Sequence, residues 1–263
     1  MNEYLNSRRL SRRDLLKLGG VAGLSLLVGT NSTKSVEQAV VVPDAEPRFS
    51  DFVEGTSKIE NPTLRASSVL VYSPFGYGHG GLFADGDDYY LTTIQHVTFS
   101  IIGNFNCVVP GIDSGPREIH DPIWEYVGKE SDSSFDPNMR HKLDPGFARE
   151  IKSLAAKGGI NPLETVTDVS NVRVGDSFLF PLPNVGQTGR MKYAGYNDEY
   201  DLMVFEGEEG YICGGFSGLP VLEVGADGKM TNRSVGLIRG VSKEEANGCS
   251  TNKYFVKPHF PRS

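Results

Sequence analysis

From Ala66 onward the chain consists of short apolar runs broken by turn residues at intervals of roughly ten positions. Ser67 to Tyr72, Gly76 to Phe83, Tyr89 to Thr93 and Phe105 to Val109 form a first group of strand-like runs. A second group comprises Ser177 to Phe180, Arg190 to Tyr193, Asp201 to Phe205, Pro220 to Val224, Ser234 to Arg239 and Lys253 to Val256. Asp85-Gly86-Asp87-Asp88 has the chemistry of a hairpin turn. Runs this short cannot supply the long amphipathic faces of a helix bundle, and 31 glycines with 15 prolines provide turns instead. The pattern predicts an all-β barrel or sandwich. Phe147 to Lys157 carries mild helical spacing and is equally readable as a strand, while residues 110–145 read as long polar loops. Residues 30–60 are polar and aperiodic, and read as a linker or N-terminal extension.

The N-terminus reads as an address. Ser11-Arg12-Arg13-Asp14-Leu15-Leu16-Lys17 has the form of a twin-arginine export motif, and Leu18 to Gly29 follows as a short apolar stretch. About twelve residues of helix span only ~18 Å, against a hydrocarbon core of ~30 Å. An exported protein, periplasmic or extracellular, is therefore expected, with the twin-arginine machinery as partner of the precursor and cleavage between Thr30 and Val42. Residues 1–40 carry six Lys/Arg and three Asp/Glu, leaving 20 basic against 30 acidic residues in the body. So acidic a body argues against nucleic acid or an anionic membrane as partner. Three cysteines, Cys107, Cys213 and Cys249, are an odd number, which in an exported protein suggests one disulfide and one buried thiol.

Two segments carry chemistry. Cys213-Gly214-Gly215-Phe216-Ser217-Gly218-Leu219-Pro220 places a serine inside a glycine turn. Glycines on both sides let the backbone fold tightly enough for two amide N–H groups to converge beside the hydroxyl, as an oxyanion hole requires. Upstream, Thr93-Ile94-Gln95-His96-Val97 puts a histidine at the end of a strand-like run. An imidazole titrating near neutrality can take the proton that keeps a serine hydroxyl from being a nucleophile. The five histidines are scattered and no paired cysteine ligands occur, so no metal or other cofactor is expected.

Together these segments resemble the chymotrypsin-like serine endopeptidases. Thr93 to Val97 is similar to that family's Thr-x-x-His segment, and Cys213 to Pro220 to its Cys-x-Gly-Asp-Ser-Gly-Gly-Pro segment. Val235 to Ile238, Gly248-Cys249 and Lys253 to Val256 match the segments that follow the serine. The resemblance implies two six-stranded antiparallel β-barrels, with residues 60–165 forming the first and 166–263 the second, after a signal and linker over 1–40. It implies His96 as general base, Ser217 as nucleophile, Gly215 and Ser217 as oxyanion donors, and a Cys213–Cys249 disulfide. A polypeptide is the implied substrate. Closing that loop would stabilise by ~3.8 kcal/mol in the chain-entropy model.

The triad acid is read as Asp144, which lies 48 residues after His96, with Asp201, Asp136 and Asp132 as alternatives. Pro145-Gly146 interrupts the apolar continuation that the family shows after its aspartate, whereas Asp201-Leu202-Met203-Val204 has it but sits close to the serine. Phe216 replaces the aspartate that in the family pairs with a new N-terminus after zymogen cleavage, which argues against that activation route. Tyr211 takes the place at the base of the substrate pocket, so an apolar or small side chain is expected there rather than Arg or Lys. An α/β-hydrolase is disfavoured because Leu219 follows where Gly-x-Ser-x-Gly needs glycine. The alternative from another class is a non-catalytic binding or scaffolding protein of the same fold.

Overall fold

A computed structural model describes residues 42–112, 115–127, 136–242 and 248–260, all within one compact unit. The twin-arginine stretch and Asp132 lie outside the described residues. Seven strands make the first sheet: β1 (Val69–Ser73), β2 (Gly76–Asp85), β3 (Asp88–Ile94), β4 (Phe105–Val108), β5 (Arg117–Ile119), β6 (Glu125–Tyr126) and β7 (Asn138–Lys142). Their order is β5-β4-β1-β2-β3-β7-β6. Asp85 pairs with Asp88 across the expected turn, where Gly86 takes φ +60.

The second sheet contains β8 (Glu164–Thr165), β9 (Ser177–Leu182), β10 (Gln187–Asn197) and β11 (Leu202–Glu209). A small separate ladder pairs β12 (Ile212–Cys213) with a later two-residue strand. The sheet continues with β13 (Pro220–Val224) and β14 (Met230–Val241); after the short β15 (Cys249–Ser250), it ends with β16 (Lys253–Pro258). The order β13-β9-β10-β11-β16-β14 closes through a β13–β14 pairing into a six-stranded barrel, and β8 adds in parallel to β14. The all-β double barrel is thus realised, with the first sheet curled as a half-barrel beside a closed second barrel.

Few helices accompany the strands: α1 (Phe49–Ser57), α2 (Pro62–Ser67), α3 (Gln95–Ser100) and α4 (Pro145–Ala156). The helical alternative holds for Phe147 to Lys157, because Asp144 caps α4 and Pro145 occupies its first turn. The stretch read as linker holds α1, whose Phe52 is fully buried in the core of the second barrel. Gly55 permits this: a Cβ there would lie 2.0 Å from the Pro183 carbonyl oxygen. The apolar residues fall into two clusters. One centres on Phe178, Phe180, Met191 and Phe205, and the other on Val71, Leu82, Leu91 and Phe105, joined by Leu222 and Leu237 from the second barrel.

Cys213 and Cys249 form a disulfide across the β12–β15 pair. Cys107 is the buried free thiol, pushed up to about 12 by burial and so inert near neutrality. No helix among the described residues is long and apolar enough to cross a membrane.

Two fully buried histidines make the fold sensitive to acid. His259 shares a 2.9 Å hydrogen bond between Nε2 and the Ser234 hydroxyl, and burial pushes its imidazole down to about 3. His79 on β2 is pushed down to about 4 by burial, against which its bond to the Gly215 carbonyl acts only in part. The unfolded chain binds these protons near pH 6.5, while the folded chain refuses them until far lower pH. Stability is therefore fully present above 6.5 and lost as pH falls toward 4 and below. Urea midpoints should drop over that window, with a slope approaching ~1.4 kcal/mol per pH unit for each histidine. His259→Gln should flatten the slope by about one proton, and an unchanged slope would refute the assignment.

Candidate active site

His96 sits at the start of α3, directly after β3, so the strand fixes where the ring emerges. Its Nδ1 lies 2.6 Å from Oδ2 of Asp136, and its backbone N–H donates to Oδ1 of the same carboxylate at 2.8 Å. A carboxylate accepts only, so the Nδ1 proton belongs to His96 and Nε2 is left with a lone pair. This is the tautomer a general base needs. The ring is 43% exposed while Asp136 is 8% exposed, so the imidazole meets solvent and its partner does not. Burial alone would raise the Asp136 carboxyl. The hydrogen bonds and charge of His96, with the charge of Arg239, outweigh it and hold the group below its ordinary value. Asp136 takes φ +64, a left-handed conformation that aspartate tolerates better than most residues. The next residue is anchored too, for Gln95 N–H donates to the Pro137 carbonyl at 2.9 Å.

Ser217 lies in the turn between β12 and β13. Gly215 and Gly218 have φ of +85 and +91, and neither could carry a side chain. A Cβ on Gly218 would lie 2.0 Å from the His79 carbonyl oxygen, and one on Gly215 would lie 2.6 Å from the Tyr77 ring. The turn is pressed against β2 and held there. His79 N–H donates to the Ser217 carbonyl at 3.0 Å, and His79 Nδ1–H to the Gly215 carbonyl at 2.7 Å. The remaining turn amides, Phe216 and Gly218, donate to Cys213 and Ile238. With those peptides fixed, the amides of Gly215 and Ser217, like that of Gly214, have no hydrogen-bond acceptor among the described residues.

One residue links the two halves. The Arg239 carbonyl lies 3.5 Å from the Ser217 hydroxyl, and Arg239 Nε lies 3.2 Å from Oδ2 of Asp136. Thr93, three residues before His96, donates its hydroxyl to the His79 carbonyl at 2.5 Å. Arg239 thereby touches both the carboxylate that holds His96 and the Ser217 hydroxyl. No hydrogen bond joins His96 to Ser217 among the described residues; such bonds commonly tighten when substrate binds.

The carboxylate on His96 is Asp136, which corrects the reading of Asp144 as its partner. Asp144 is committed to α4, accepting from Gly146 N–H at 2.8 Å and Phe147 N–H at 3.0 Å. The Asp-Pro start was the signal for that cap. Asp201 pairs with Lys257 and accepts from the Tyr196 hydroxyl. Tyr211 is buried, its hydroxyl accepting from Asn184 at 2.8 Å and its ring packed on Phe216. Phe216 is fully buried between Tyr211 and Phe52.

No family model matches the chain, and no curated protein sequence matches it. Among solved structures it is similar to Deg5 at 14% identity and TM-score 0.43, over 81% of this chain and 90% of that one. It is also similar to human heparin binding protein at 11% identity and TM-score 0.48, over 73% and 85%. A scabies mite inactivated protease paralogue gives 11% identity and TM-score 0.47, over 72% and 85%. Likeness at this level carries no argument about function.

The packing of Phe52 on Phe216 gives a direct expectation. Phe52→Ala should destabilise the protein by about 3–4 kcal/mol in urea unfolding. Val53→Ala, on the exposed side of the same helix, should stay within about 0.5 kcal/mol. Equal costs at the two positions would show that α1 does not brace the Ser217 turn.

Proposed function

We propose that this protein is an exported serine endopeptidase acting through Ser217, His96 and Asp136. The observation that carries the reading is the 2.6 Å contact from His96 Nδ1 to a buried carboxylate, which Arg239 links to a serine in a turn of positive-φ glycines. His96 Nε2 would take the Ser217 proton as Oγ attacks the scissile carbonyl, forming a tetrahedral intermediate. The Gly215 and Ser217 amides would donate to its oxyanion, where each such donor contributes ~2.7–4 kcal/mol. Asp136 would stabilise the imidazolium, which then protonates the departing amine. Water deacylates the enzyme by the reverse order of proton transfers. No step draws on a metal or another cofactor.

The substrate class is polypeptide, not nucleic acid or membrane. Tyr211 would shape the pocket base from beneath, its ring offering no carboxylate to a basic side chain, so apolar or small side chains suit it. Export by the twin-arginine route and removal of residues up to the Thr30–Val42 stretch complete the reading, and the disulfide is compatible with an oxidising destination.

A fluorophosphonate should label the wild type and not Ser217→Ala. Absence of labelling on folded protein would leave the non-catalytic reading, which Arg239 beside the carboxylate favours. If labelling succeeds, Asp136→Asn should lower kcat by about 10⁴. Asp144→Ala should keep kcat and lose ~1 kcal/mol of stability as a helix cap. A kcat loss of that size in the Asp144 variant would return the acid to that position.

A further inference from the structure

We infer that Arg239 is a positioning residue that shares one oxygen of Asp136 with His96, dividing the carboxylate's charge between an imidazole and a permanent cation. The inference deepens the peptidase reading and rests on it for its catalytic consequence. Its geometry is independent of that reading. Oδ2 of Asp136 is 2.6 Å from His96 Nδ1, which bonds it, and 3.2 Å from Arg239 Nε, which meets it as an ion pair without hydrogen-bond alignment, so both charges act on the same atom. The Arg239 side chain is only 23% exposed, which limits how far water can screen the pair. A guanidinium stays charged throughout the range in which a histidine titrates.

The backbone of β14 fixes this placement. Gly218 N–H donates to the Ile238 carbonyl and Ile238 N–H to the Leu219 carbonyl, both at 2.8 Å, so β14 is bonded to the nucleophile turn on each side of Ile238. The next residue then presents its carbonyl toward the Ser217 hydroxyl and its side chain toward Asp136. One residue therefore sets the serine and the acid relative to each other. It also helps hold Asp136 in its left-handed conformation, which needs several contacts to persist.

Among the described residues, the other ionisable groups on the surrounding elements are engaged elsewhere. His79 on β2 bonds Gly215, Arg140 on β7 meets Glu125 and Asp85, and Lys257 on β16 pairs with Asp201. The charges of described residues that act on Asp136 are those of His96 and Arg239. While Arg239 is present, an imidazolium at His96 receives only part of the carboxylate's stabilisation. Removing the cation gives His96 the whole charge and favours its protonated form. The His96 midpoint, and with it the acidic limb of kcat/KM, should then move to higher pH.

The test is an NMR titration of the full mature chain that follows the His96 ring. Arg239→Gln and Arg239→Ser should each raise the His96 midpoint by about one pH unit, roughly tenfold in the protonation equilibrium. Arg239→Lys, which keeps the charge, should stay close to wild type. A midpoint that is unchanged or lower in the folded neutral variants would overturn the inference. Should neither neutral variant fold, the wild type still decides. The Arg239 Nε signal must shift at the same pH as His96, and an Nε signal indifferent to that step would overturn sharing. Fluorophosphonate labelling of the same samples reads the peptidase proposal separately. A shifted titration without labelling keeps the charge sharing and removes the enzyme reading.

Discussion

The contact on which the site depends is the seating of the Gly215–Gly218 turn on strand β2. Gly218 approaches the His79 carbonyl so closely that no side chain could intervene, and the missing Cβ is what allows it. His79 then satisfies two carbonyls of the turn at once, one through its backbone amide and one through its ring. Protonation would keep the Nδ1–H donor but bury a charge and leave an unpartnered Nε2–H, so burial holds the ring neutral. The same histidine therefore couples the shape of the turn to the acid sensitivity of the whole fold. Thr93 ties His79 to the strand that leads to His96, and through the two His79 bonds the barrels meet by hydrogen bonding as well as by apolar packing.

Around this contact the protein relies on hydrophobic packing. Phe216 points into a fully buried cluster with Phe52 and Tyr211, and Phe52 arrives from a helix that precedes the first strand. Charge is concentrated instead at Asp136, where a carboxylate sits between an imidazole and a guanidinium.

Much of this was legible in the sequence, for reasons that are local. The hairpin turn at Asp85–Asp88, the strand-like runs and the glycines around Ser217 depend on backbone preferences that act within a few residues. His96 stood out because a strand pattern ends on it. The helix from Pro145 was half legible: its spacing was visible, but Asp144-Pro145 was read as a spoiled triad segment when it is a cap followed by a favoured first residue. Strand β7, Asn138-Met139-Arg140-His141-Lys142, lacks the apolar alternation that announces a strand. Its buried Asn138 is held by donating to the Lys257 and Pro258 carbonyls on β16, which no periodicity reveals. Helix α1 was missed because most of its residues are polar and its packing is carried by two aromatics, Phe49 and Phe52.

By itself, the sequence determined the all-β class, the serine turn and the histidine. Each follows from residue type and short-range spacing, whereas the pairing of Cys213 with Cys249 was only what the resemblance implied. The tertiary structure alone decided which carboxylate meets His96. Asp136 is 40 residues from it along the chain and is brought there by β7 pairing with β3. It also decided that Arg239 would reach the same oxygen, since that requires a strand of the second barrel to pass beside a loop of the first. Long-range electrostatics of this kind leave no local pattern, because the partners are chosen by the fold and not by their neighbours in sequence.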